Sequence, residues 1–137
     1  MNNLEEREPE IKESGHYDPS NKLKEDTPDS IFHRAQILLK NESKWCQNSV
    51  AINRNGEKVS ALHKDAVAWD IYGAIMKTCN QYRPDLLIKT LDYLETLNLG
   101  KFSSIIDLND YGTHSDVYWL LSKAAIDYKL WKKRVNS

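Results

Sequence analysis

The sequence predicts a single α+β domain, mostly helical, with about four helices and one small β-hairpin. Three observations carry that expectation. The chain has 137 residues, 40% of them hydrophobic and 28% charged, which is enough for one core and too little for two. Apolar residues recur at three- and four-residue intervals in four separate stretches, the mark of amphipathic helices. One further stretch alternates instead, around an Asn-Gly pair suited to a tight hairpin turn.

Taken in order, residues 1–26 hold eight acidic and four basic side chains, with apolar ones thinly scattered. Such a stretch buries too little surface to offset its ordering entropy, so a disordered acidic leader is expected there. Residues 27–137, the expected helical domain, keep fifteen basic and twelve acidic residues, so leader and body carry opposite signs. The sharper alternative is a leader that folds back on the body or orders on a partner.

Thr27-Pro28-Asp29-Ser30 opens the body with a capping hydroxyl, a proline suited to the first turn and an acid at the positive end of the dipole. A helix should start there and run to Asn41, with Ile31, Ala35, Leu38 and Leu39 on its buried face. From Trp45 to Val59 the alternation of Val50 and Ile52 with their neighbours, followed by Asn55-Gly56, predicts the hairpin. Residues 64–79 return to helical spacing through Val67, Ile71, Ala74 and Ile75, and a glycine at position 73 implies close approach of a neighbouring element. Pro84 starts a leucine-rich helix through Leu86, Leu87, Leu91, Leu94 and Leu97, which Gly100 is placed to end. Residues 101–112 are expected to be a loop or short strand closing in the turn-prone Asn109-Asp110-Tyr111-Gly112. Thr113-His114-Ser115-Asp116 has capping-box form and predicts a final helix to about Trp131.

Composition also excludes function classes. A net charge of −1 gives no strong positive field for nucleic acid, no apolar run approaches the roughly 20 residues of a membrane span, and the acidic start lacks a secretory signal pattern. A cytoplasmic protein is expected. Cys46 and Cys79 are too few for a disulfide framework and are not spaced C-x-x-C. No H-E-x-x-H, EF-hand loop, P-loop, G-x-S-x-G or G-x-G-x-x-G occurs.

Each candidate for chemistry has a plainer reading beside it. Cys46 is a possible nucleophile, with His114 or His63 as base and Asp110 or Asp116 orienting it; a buried thiol beside Trp45 is the stronger expectation. His63, Asp65, Asp70, Asp110, His114 and Asp116 would offer metal ligands only if two helix starts met, and acids at helix starts are explained by capping alone. Lys129, Lys132, Lys133 and Arg134 beside Trp131 could grip phosphates, but cations also suit the end of a helix. Trp45, Trp69, Tyr72, Tyr111 and Trp119 could line a groove rimmed by Gln47, Asn109 and Asp110, although most of these rings are expected in the core.

The spacing of Trp45-Cys46-Gln47, Asn55-Gly56, Asp65-Ala66-x-x-Trp69-x-x-x-Gly73-Ala74 and Asn109-Asp110 resembles an uncharacterised family of small bacterial and phage-associated proteins, a domain of unknown function, over roughly residues 31–126. The resemblance implies a mixed, mostly helical single domain in which Gln47, Asn109 and Asp110 form one constellation, and it implies no reaction. Members often carry cysteine after the tryptophan that matches Trp69, where this chain has Asp70.

Taken together, the sequence points to a non-catalytic module that contacts another protein, with Trp45, Gln47, Trp69, Asn109, Asp110 and Tyr111 as its candidate binding residues. The alternative is a cysteine-dependent hydrolase or transferase built on Cys46, His114 and Asp110. Neither cofactor nor metal is expected, no membrane or nucleic acid is the expected partner, and no oligomeric state follows.

Overall fold

A computed structural model describes residues 26–80 and 82–136, so the expected leader, apart from Asp26, lies outside the described residues. Helix α1 (Pro28–Leu38) starts where the sequence placed it, with Pro28 and Asp29 in its first turn. The Thr27 hydroxyl donates to Asp29 Oδ1 at 2.5 Å instead of receiving a backbone amide. Ile31, Phe32 and Ala35 on its inner face, and Leu39 at its end, are fully buried.

A 3-10 turn (Glu42–Lys44), capped by Asn41, then leads to strands β1 (Ala51–Ile52) and β2 (Lys58–Val59). They pair antiparallel, Ala51 with Val59 and Ile52 with Lys58, around Gly56 at φ +80°. This is the expected hairpin.

The next segment departs from expectation. Ala68 and Trp69 form a third strand, β3 (Ala68–Trp69), which pairs with β1 and gives the sheet order β2-β1-β3. Helix α2 (Ile71–Thr78) therefore begins seven residues later than the apolar spacing suggested. The cause is Asp70, whose Oδ1 accepts the Gly73 amide at 2.6 Å and so fixes the helix start. The apolar run from Ala66 to Trp69 suits a buried strand as well as a helix, and the cap at Asp70 decides between them.

Helix α3 (Pro84–Glu95) buries Leu86 and Leu94, along with Thr90, whose hydroxyl donates to the Leu86 carbonyl at 2.7 Å. Residues expected to form a loop or strand instead make helix α4 (Ile105–Tyr111). Ser104 caps it by accepting the Asp107 amide at 3.0 Å, and Ile105, Leu108 and Asn109 are buried along one side. Helix α5 (His114–Val135) opens with the full capping box of Thr113 and Asp116 and runs four residues past the expected end. Val117, Leu120, Leu121, Ala124 and Tyr128 face inward along it. Helix α1 lies in the middle, packed against α5, α2 and α3, so that one hydrophobic core joins all five helices of the described residues to the small sheet. No helix among them is long and apolar enough to cross a membrane.

Candidate functional site

The densest polar cluster sits where the segment before β1 meets the end of α4 and the start of α2. Asn109 is its centre. The stripe that buries Ile105 and Leu108 carries the Asn109 side chain inward as well, to 0% exposure. Its Oδ1 accepts the Trp45 indole N–H at 2.8 Å and the Ile71 amide at 3.0 Å. Its Nδ2 donates to the Cys46 carbonyl at 3.1 Å and to Asp110 Oδ1 at 3.0 Å. Both donors and both acceptor positions of the carboxamide are thereby used.

Gln47 completes the junction from the other side. Its Nε2 donates to the carbonyls of Asn109 and Asp110, both at 3.1 Å, and of Gly112 at 3.2 Å, which satisfies groups that the end of a helix leaves without partners. Asp110 Oδ1 in turn accepts the amide of Asn48 at 2.8 Å. Asn48 sits at φ 67°, a left-handed conformation that asparagine adopts more readily than most residues. Gln47, Asn109 and Asp110 thus form one constellation, as the resemblance implied, and each of them bonds to the protein's own backbone.

The neighbouring ionisable groups are shifted by burial. The Cys46 thiol is pushed up to about 11, first by desolvation and then by the negative charge of Asp70, with the Ser49 side chain acting in the opposite direction; its Sγ donates to the Ser49 carbonyl at 3.4 Å. Asp70 is pushed up to about 6 by burial, against the Gly73 amide that stabilises its charge, with the charge of Asp110 adding to the rise. His114 donates from Nε2 to the Leu39 carbonyl at 2.5 Å and packs its ring against Trp45, 5.8 Å between centroids. No hydrogen bond among the described residues joins Cys46 Sγ to a histidine.

The remaining candidates are dispersed. His63 Nδ1 accepts the Asp65 amide at 3.0 Å in an exposed turn, and Asp116 is used by the capping box. Among the described residues, no group of three or more His, Cys, Asp or Glu could hold a metal ion. The Trp69 indole donates to the Ala61 carbonyl at 2.9 Å within the core. The Tyr72 hydroxyl bonds to Glu95 of α3. Tyr111 is exposed at the end of α4, and Trp119 is exposed on α5 against Tyr118. Trp45 therefore joins the polar cluster, whereas Trp69, Tyr72, Tyr111 and Trp119 face other surroundings. Cys79 is buried, its thiol raised above its usual range mainly by desolvation.

A second feature was not anticipated. Trp119, Ile126 and Leu130 follow one another along the outer side of α5, and Ile37 stands on α1; each is more than half exposed. Between the two helices runs a groove of about 400 Å³, walled by Ser30 and His33 on one side and by Ser122, Ile126, Lys129 and Leu130 on the other. The sequence carries the spacing alone: Trp119, Ile126 and Leu130 are seven and four residues apart, out of phase with the inward stripe of Val117, Leu121, Ala124 and Tyr128.

Residues 23–127 match the model of a family described as a family of unknown function, DUF6197. No curated protein and no solved structure matches the chain.

Proposed function

The chain belongs to the DUF6197 family, and we propose that it is a non-catalytic interaction module that binds a protein partner through the α1/α5 face. One observation carries the reading: Ile126 and Leu130 stand in solvent in the wall of a groove of about 400 Å³, and Trp119, seven residues before Ile126 on α5, and Ile37, four residues after His33 on α1, are exposed on the same two helices. Clustered exposed apolar residues, a tryptophan among them, are the usual makeup of a docking surface. A protein helix laid into the groove would cover them. The groups best suited to chemistry are engaged elsewhere. Asn109, Gln47 and Asp110 hold three elements together, and the Cys46 thiol is buried, protonated at neutral pH and bonded to a carbonyl. On this reading Trp45, Gln47, Asn109 and Asp110 shape the protein, and its partner meets it in the cytoplasm.

The test compares the wild-type chain with the double variant Trp119→Ala/Ile126→Ser in affinity capture from the native cell, after circular dichroism has shown both to be folded. Loss of a captured protein with the double variant supports the reading. Equal capture by both forms contradicts it. Cysteine alkylation followed against pH serves the alternative: fast labelling of Cys46 at neutral pH would favour an enzyme.

A further inference from the structure

We infer that a second copy of the chain docks on the outward side of α5, the two α5 helices lying antiparallel about a twofold axis level with Ala124 and Ala125. The inference rests on the reading of that side as a docking surface, and it names the occupant.

Spacing is the first argument. Asp116, Trp119, Lys123, Ile126, Leu130 and Lys133 follow one another at alternating steps of three and four residues along most of α5. That is the seam through which two helices pack side by side. It lies opposite the stripe of Val117, Leu121, Ala124 and Tyr128 that faces the core. Asp116 is half-buried, and the other members of the seam are exposed.

Charge complementarity is the second argument. From start to end the seam reads acid, tryptophan, lysine, isoleucine, leucine, lysine, an order that complements itself when reversed. In the antiparallel register Trp119 meets Leu130 of the second copy, the stem of Lys123 lies over Ile126 of the second copy, and Asp116 meets Lys133 of the second copy. The twofold axis repeats each pair. Asp127, beside the seam on the same flank as Lys123, comes opposite Lys123 of the second copy. Within the chain neither Lys123 nor Asp127 takes part in an ion pair among the described residues. Asp116 has an oxygen to spare: Oδ2 accepts the Thr113 amide at 2.8 Å in the cap, which leaves Oδ1 for the lysine. A parallel pair would instead set Asp116, Lys123 and Lys133 each against its own copy, so charge selects the antiparallel arrangement.

The pairing is a weak one. Lysine in a seam fixes register at a cost in stability, and one helix per copy covers less than the about 800 Å² per partner of a standard interface. The chain is therefore a monomer when dilute and pairs as its concentration rises.

Sedimentation equilibrium of the full chain in reductant, between about 5 and 500 µM, tests this. The inference expects 15.9 kDa at the dilute end, rising towards twice that mass at the concentrated end. Ile126→Lys, shown to be folded by circular dichroism, should keep the monomer mass throughout. Lys123→Asp sets an acid against Asp127 of the second copy and should weaken pairing about tenfold or more, whereas Lys123→Asp/Asp127→Lys should restore it. A chain that remains monomeric at the highest concentration, a dimer indifferent to Ile126→Lys, or a double exchange that restores nothing would overturn the inference. So would a monomer that sediments with phosphatidylserine vesicles and loses them on Trp119→Ala, which would assign the seam to a membrane surface. A chain that stays monomeric yet loses a captured protein on Trp119→Ala/Ile126→Ser would remove the second copy and leave the interaction reading standing, so the two failures are distinct.

Discussion

At the scale of single residues, Asn109 and Asp70 show how buried polarity can be structural. Asn109→Ala leaves the Trp45 indole, the Ile71 amide and the Cys46 carbonyl without their partner, and a buried unsatisfied group costs about 1–3 kcal/mol. Urea denaturation should show a loss of about 3 kcal/mol; a loss below about 1 kcal/mol would mean that the network is dispensable. Asp70 makes a signed prediction. Its carboxyl titrates near 6 in the folded protein instead of at the ordinary 3.8, so its contribution to stability is full below about pH 4 and is lost as the pH rises through 6. Asp70→Asn keeps the oxygen that caps α2 and removes the buried charge. It should therefore stabilise the protein at pH 7.5 by about 2 kcal/mol and flatten the pH dependence between 4 and 7, as read from thermal melts across that range. A variant less stable than wild type at pH 7.5 would contradict this. Cys46, held up at about 11, should label slowly with iodoacetamide at pH 7.5 until denaturant unfolds the chain.

At the scale of elements, the link between α2 and the sheet is the tightest contact. A Cβ on Gly73 would lie 2.0 Å from the Val50 carbonyl oxygen, a backbone atom that cannot swing aside, and the Asp70 amide donates to that same carbonyl at 3.0 Å. Gly73→Ala should destabilise the protein by about 3 kcal/mol or more in equilibrium unfolding, although alanine is the better helix former. A gain in stability would show that α2 and β1 do not approach so closely. The same elements show what the sequence could and could not disclose. The helix start at Pro28, the capping box at Thr113, the Asn-Gly turn and the glycine at the close contact are local signals, and they were legible, although the Thr27 hydroxyl does not cap α1. Helix α4 was not, because Asn109-Asp110-Tyr111-Gly112 has the chemistry of a turn, whereas here Ser104 starts a helix and Asn109 finds its partners 38 to 64 residues away. Strand β3 was hidden for a related reason: Ala68 and Trp69 fit either period, and only pairing with Ala51 and Ile52 across the fold selects the strand.

At the scale of the whole molecule, the protein divides its polar and apolar resources between two places. Gln47, Asn109 and Asp110 were legible as a group, and their hydrogen bonds go inward to backbone and to Trp45. The exposed stripe of α5 was not legible, because Trp119, Ile126 and Leu130 carry the same helical spacing as a buried face and only the packing of α5 on α1 shows which of its two apolar stripes is left in solvent. If that stripe serves binding, replacing its side chains should leave stability nearly untouched: Trp119→Ala/Ile126→Ser is expected to change unfolding free energy by no more than about 1 kcal/mol. The most direct measurement is amide hydrogen exchange on the full chain, free and in complex with whatever protein it captures. The account predicts that slowed exchange on binding is concentrated in residues 30–37 and 119–130. Slowing confined instead to residues 45–49 and 109–112 would move the function to the polar junction and contradict the account.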